Sequence, residues 1–232
     1  MKTRVLLMTI AALAAMSCYN ENDVFYSCDT ATDLWVKSNL HEIQKLDRDG
    51  WLSLKQEIQI PVYRAFTKEQ RVSFWQEKLC EVQRLDWSVA ESAHIKKIED
   101  FIATHTYFFD DKPLTDEEDN ELETFFYLWN TMAIEQFNWD EQVGYAIICT
   151  GLPLKNKRGD LDFNVSLQKS VEQLTGNWEN TPVPDCDCSR RYFFACPSHN
   201  PSMECKEIEC NWADIGCGLF LLQDCNGKCS ML

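Results

Sequence analysis

Between residues 30 and 150 the apolar positions recur at the three- and four-residue spacing of amphipathic helices. Leu34, Val36, Leu40, Ile43 and Leu46 predict a helix over 31–49, with Asp29 or Thr30 as N-cap and Gly50 as its stop. A short helix over 51–58 follows, ahead of Pro61. Thr67-Lys-Glu-Gln70 is a capping box, in which the first and fourth side chains each satisfy the other's backbone N–H. It opens a helix that lines up Val72, Trp75, Leu79 and Val82. Ser88-Val-Ala-Glu91 is a second box, ahead of Ile95, Ile98 and Ile102. Pro113 and Thr115 precede Asp116, Glu117, Glu118 and Asp119, an acidic first turn that suits the positive end of a helix dipole. The inner face of that helix is Leu122, Phe125, Phe126, Trp129, Met132 and Phe137. A last helix is predicted over 141–149, with Gly151 behind it. So many large apolar side chains in one stretch suffice for a domain core.

The pattern then changes. Gly151, Pro153, Gly159, Gly176, Pro182 and Pro184 mark 151–185 as an irregular linker, in which Leu161, Phe163 and Val165 alternate like a short strand. Beyond it lie eight of the twelve cysteines: Cys186, Cys188, Cys196, Cys205, Cys210, Cys217, Cys225 and Cys229. A segment this short buries too little apolar surface to hold itself and needs staples. The Cys-x-Cys and Cys-x3-Cys spacings are not the paired hooks of zinc sites, and His199 is the one histidine in the block. Disulfides are therefore the expected staples, with a connectivity that spacing alone leaves open. Asn226-Gly227 predicts a tight turn that sets Cys225 and Cys229 on neighbouring strand ends. Gly216 and Gly218 allow close approach or positive φ around Cys217. Leu219–Leu222, the continuous apolar run of the block, is read either as the strand at the heart of a small sheet or as an exposed insertion surface. The fold class expected is mainly α: a helical domain over 18–150, then a small disulfide-rich module over 186–232 with little regular structure or a short β-hairpin.

The N-terminus sets the compartment. Lys2 and Arg4 precede an apolar run from Val5 to Met16, too short to span a bilayer and of the length of a secretory h-region. Residues 1–17 are predicted to be a signal peptide. Ala15-Met16-Ser17-Cys18 resembles the bacterial lipoprotein cleavage box, which implies a lipid on Cys18. Ala12-Leu13-Ala14 offers an ordinary signal-peptidase cut as the alternative. Export places the cysteines in an oxidising environment. With Cys18 acylated, an odd number of cysteines remains, and the thiol left over is expected among Cys28, Cys80 and Cys149. Cys80 is read as a buried thiol on a helix.

The formal net charge is −15, and loss of the signal removes Lys2 and Arg4 as well. Such a chain has no basic surface for nucleic acid and gains nothing electrostatically from anionic lipid. Candidate chemistry is sparse. His41-Glu42-Ile43-Gln44-Lys45 has Lys45 where a zinc-protease helix has its second histidine. His94 and His105 are read as partly exposed helix histidines, about 16 Å apart along one axis. Asp160-Leu-Asp162-Phe-Asn164 alternates oxygen ligands as a calcium loop does, without that loop's glycine and with Val171 where its bidentate Glu belongs. Phe125, Phe126, Trp129 and Trp139 are read as core. Asp29-Thr30-Ala31 resembles the O-glycosylation tripeptide of Bacteroidota envelope proteins and serves equally as a helix cap. No catalytic, cofactor-binding or metal-ligating residue is assigned, and the chain is read as a non-enzyme.

The tail carries Cys186-Asp-Cys188-Ser189, Ala195-Cys196-Pro197, Gly216-Cys217-Gly218 and Cys225-Asn-Gly-Lys-Cys229 in that order. This series, behind a signal and a helical segment, resembles the fulvocin C-related lipoproteins of Bacteroidota. The resemblance implies a lipid-anchored envelope protein, an outer-membrane lipoprotein facing the periplasm or the cell surface, with a bacteriocin-like antibacterial tail. Against release as a toxin, the tail's four basic side chains face six acidic ones, and Arg190-Arg191 lies inside the cysteine block. The alternative is a non-toxic surface binding or adhesion lipoprotein. Expected partners are the membrane, through the lipid, and an unknown protein or surface ligand.

Overall fold

Three reciprocal capping boxes frame the helical region, at Thr67, Ser88 and Thr115. A computed structural model describes residues 24–27, 29–162, 203–206 and 213–231. Among them are eight α-helices: α1 (Thr30–Ser38), α2 (Leu40–Ile43), α3 (Arg48–Leu52), α4 (Gln56–Arg64), α5 (Lys68–Val82), α6 (Val89–Thr104), α7 (Asp116–Phe137) and α8 (Glu141–Ile148). Four short strands follow, β1 (Met203–Lys206), β2 (Ala213–Cys217), β3 (Gln223–Cys225) and β4 (Lys228–Met231). The chain is mainly helical with a small disulfide-containing β region at its end.

The helix predicted over 31–49 is three helices. The Asn39 side chain donates to Trp35 O at 2.7 Å where α1 ends, and Asp47 caps α3 by accepting from Gly50 N at 2.8 Å. These side-chain bonds compete with a continuous backbone ladder. Breaking the helix turns Ile43 inward and leaves Leu34 58% exposed, so Leu34 is not a core residue. Gly50 lies inside α3 and stops nothing. Pro61 likewise lies inside α4, where its neighbours Val62 and Tyr63 are fully buried. Burial of that face offsets the lost ladder bond. On α7, Leu122, Phe126 and Trp129 are buried as expected, while Phe125, Met132 and Phe137 are half-buried. Asn138, at φ 54°, ends α7 in the left-handed conformation.

The start of the irregular segment is fastened to the helices. Arg48 is buried on α3; its Nε donates to Gly151 O at 2.9 Å and its Nη1 to Glu81 Oε2 at 2.6 Å. Glu81 Oε1 accepts from Leu154 N at 3.1 Å, and Lys78 Nζ donates to Leu152 O. A Cβ on Gly151 would stand 2.4 Å from Phe74 Cζ, so only glycine lets the backbone lie this close to the core. Leu161 pairs with Leu154 in an isolated antiparallel bridge; Phe163 and Val165 lie outside the described residues.

β1 pairs with β4 and β2 with β3, each antiparallel, in two separate two-stranded sheets. Asn226-Gly227 therefore connects strands of different sheets and is not a hairpin turn. The primed turns that favour Asn-Gly need positive φ, and the described non-glycine residues with positive φ are Asn138, Phe220 and Leu221. The hairpin that does form is β2–β3, and Phe220-Leu221 turns it.

Candidate functional site

The β2–β3 hairpin is a finger with an apolar tip. A disulfide between Cys217 and Cys225 ties its two strands together, with Cα atoms 5.3 Å apart. Gly218 leaves β2 at φ 63°, ψ −149°, a region essentially restricted to glycine. Phe220 and Leu221 then sit at φ 53° and 55°, and Leu222 N returns to Leu219 O at 3.0 Å. Bulky residues rarely hold positive φ, and each costs roughly 1–3 kcal/mol there.

The helical core supplies the compensation. Leu219, Phe220, Leu221 and Leu222 are all buried within the same apolar core as α3–α8. Burying each such side chain contributes roughly 1.5–3 kcal/mol. Phe220 is fully buried, and its ring lies 5.0 Å from Trp75, 5.0 Å from Phe126 and 5.7 Å from Phe109. Trp75 belongs to the aromatic group of Trp51, Tyr63, Phe66 and Phe74, and Phe126 to that of Phe101, Phe125 and Trp129. Among the described ring pairs, Phe220 joins these two groups.

Polar contacts fix the finger's depth. Tyr63 Oη donates to Phe220 O at 2.8 Å, and Trp75 Nε1 donates to Tyr63 Oη at 2.9 Å and to Phe220 O at 3.1 Å. Burial pushes the Tyr63 hydroxyl up from its ordinary pKa, which keeps its proton available to donate. Gln223 Oε1 accepts from Leu219 N at 2.8 Å, while its Nε2 donates to Asp119 Oδ1 on α7 at 3.0 Å. Arg64 Nε donates to Ile215 O at 2.7 Å and its Nη1 to Tyr26 O at 3.0 Å, tying the finger to the N-terminal segment. Leu219–Leu222 is thus neither the heart of a sheet nor an insertion surface. It is a plug in the helical domain.

No family model, curated protein or solved structure matches the chain.

The cysteines assigned from sequence are distributed as follows. Cys217 and Cys225 are paired, Cys205 is disulfide-bonded, and Cys229 stands opposite Cys205 in the β1–β4 register. Cys18, Cys28, Cys186, Cys188, Cys196 and Cys210 lie outside the described residues. Cys80 and Cys149 are free thiols. Cys80 is exposed on α5, contrary to its reading as a buried thiol, because it faces away from the side that buries Leu79 and Val82. Cys149 is buried, and burial alone raises its pKa well above that of an ordinary thiol, which leaves it protonated and inert.

The described histidines, His41, His94 and His105, do not come together in one site. His94 is 2% exposed, not partly exposed as expected. Its ring stacks 4.8 Å from Trp129, its Nε2 meets Trp129 O at 3.0 Å, and Trp129 Nε1 donates to His94 O at 3.0 Å. Burial holds its imidazole below the ordinary value. His105 follows the last turn of α6, its Nδ1 2.9 Å from Phe101 O. It lines an open groove of about 700 Å³ between α6 and α7, whose floor is the Phe101–Phe125 ring stack at 3.9 Å. Lys97, Asp100, Asn120 and Glu121 border this groove. Asp160 spends a carboxylate oxygen on Asn156 Nδ2 at 2.7 Å and stands in a tight turn. Among the described residues no cluster of three or more His, Cys, Asp or Glu is placed to hold a metal.

The finger's pairing with Tyr63, Arg64, Trp75 and Asp119 was not legible in the sequence. Its one local signal was an apolar tetrad set between Gly218 and Gln223, which fits a buried turn as well as a strand.

Proposed function

We propose that this chain is an exported envelope protein, lipid-anchored through Cys18, that works at the cell surface or in the periplasm as a binding protein and keeps its tail. The observation that carries this reading is the burial of Phe220 in the helical core. Release of a tail toxin would withdraw four apolar side chains from that core and leave Tyr63 and Trp75 facing an empty site. The cost is several kcal/mol, comparable with the whole stability of many domains. The disulfide-rich tail is then a protease-resistant part of a binding scaffold, and the α6–α7 groove with its aromatic floor is the place for a small or peptide-like ligand. The antibacterial reading keeps the support of the fulvocin-like cysteine pattern, and it requires the finger to leave the core before it can act.

Cell fractionation with antibodies against residues 30–150 and against the tail tests the choice. The binding reading expects both antibodies to detect one full-length band in the envelope fraction, with a lipid on the N-terminal cysteine by mass. A free tail in the medium that inhibits growth of related bacteria, with inhibition lost on reduction, would establish the toxin instead.

A further inference from the structure

Four large apolar side chains are exposed together at the N-terminal edge of the fold: Val24 (66%), Phe25 (42%), Leu34 (58%) and Trp35 (40%). Val24 adjoins Phe25 in sequence and Leu34 adjoins Trp35, and Lys37 brings Phe25 against α1. Tyr26 N donates to Asp33 Oδ1 at 2.8 Å, which lays the first described residues along α1. Lys37 Nζ stands 4.4 Å over the Phe25 ring and 2.8 Å from Asp33 Oδ2, one turn from Leu34. We propose that this edge docks on the interface of the bilayer that holds the Cys18 lipid, an inference that rests on the lipid-anchor reading above. The tether argues for this occupant. Five residues lie between Cys18 and Val24, and the six Cα steps reach about 20 Å at full extension. A lipid on Cys18 therefore keeps the edge beside the headgroups and makes its docking intramolecular, at an effective concentration of order millimolar. The side chains suit the place. Trp prefers the membrane interface, Leu, Phe and Val gain by burial in it, and Lys37 can reach the phosphates along its aliphatic stem. The acidic balance of the chain favours a zwitterionic surface. Docked this way, α1 faces the membrane and fixes the orientation of the molecule on it.

The test is hydrogen exchange over residues 24–38 of the full mature chain on phosphatidylcholine–phosphatidylethanolamine vesicles, with the mass of the N-terminal peptide reporting acylation. The acylated chain should exchange about tenfold more slowly there than a Cys18→Ser chain mixed with the same vesicles. Leu34→Ser with Trp35→Ser should abolish the difference while acylation and helical content stay unchanged. Acylation without slowed exchange overturns the docking and leaves the anchor standing. An N-terminal peptide without lipid overturns both. Protection that appears without vesicles and grows with protein concentration overturns the docking in favour of a second copy of the chain.

Discussion

Phe220 and Leu221 hold a backbone conformation that their own side chains disfavour, and the surrounding core supplies what holds them there. The neighbouring glycine is constrained in the opposite sense. A Cβ on Gly218 would stand 2.0 Å from Gln223 Oε1, at a φ/ψ that side chains scarcely adopt. Gly218→Ala should therefore lower the urea midpoint by the equivalent of about 1–3 kcal/mol, with the slope unchanged. Lys78 makes a different prediction. Burial pushes its amine from 10.5 down to about 7. Between these values the unfolded chain holds the proton and the folded chain does not, so this group makes stability rise with pH across that window and contributes its full penalty below it. Stability of Lys78→Met, measured by urea unfolding from pH 7 to 10, should show a flatter slope than the parent. A slope identical to the parent's would mean that Lys78 titrates normally. At this scale the sequence showed which residues were special, the glycines beside Cys217 above all. It did not show that a phenylalanine and a leucine would take the turn that Asn226-Gly227 advertises, because the choice is made by a core far away in sequence.

Helix starts were the most legible elements: the Thr67 and Ser88 helices begin at the capping boxes read from the sequence, and the helix after Thr115 begins at its acidic first turn, where the structure adds a third box. Thr67→Ala should cost about 1 kcal/mol by thermal unfolding. Breaks were less legible. Spacing over 31–49 fits one long helix, and only the tertiary need to turn Ile43 inward selects the bends at Asn39 and Asp47. The disulfide belongs to this scale too. It closes a loop with a sequence separation of 8, which in the chain-entropy model is worth about 2.5 kcal/mol. The cysteine density alone suggests that reduction would harm the tail and spare the helices. With the finger in the helical core, Cys217→Ser with Cys225→Ser should instead lower the melting of the helices themselves, followed at 222 nm. Loss of tail structure with an unchanged helical transition would mean that the finger contributes nothing to the core.

For the whole molecule, composition and spacing conveyed the class, helical with a disulfide-containing end, and they conveyed it because helix periodicity and cysteine density are local properties. What they could not convey is that the end completes the beginning. Tyr63 and Phe220 are separated by 157 positions, and no pattern of that range is written in one sequence. A tail whose apolar tip joins the two aromatic groups of the core supports the proposed binding role over release. The measurement that tests this most directly is unfolding of full-length Phe220→Ala under oxidising conditions, followed by helical circular dichroism. The account predicts a loss of about 3–5 kcal/mol in the stability of the helices, from a substitution in the tail. A helical transition that coincides with the parent's would contradict it, and would make the finger a bystander free to leave.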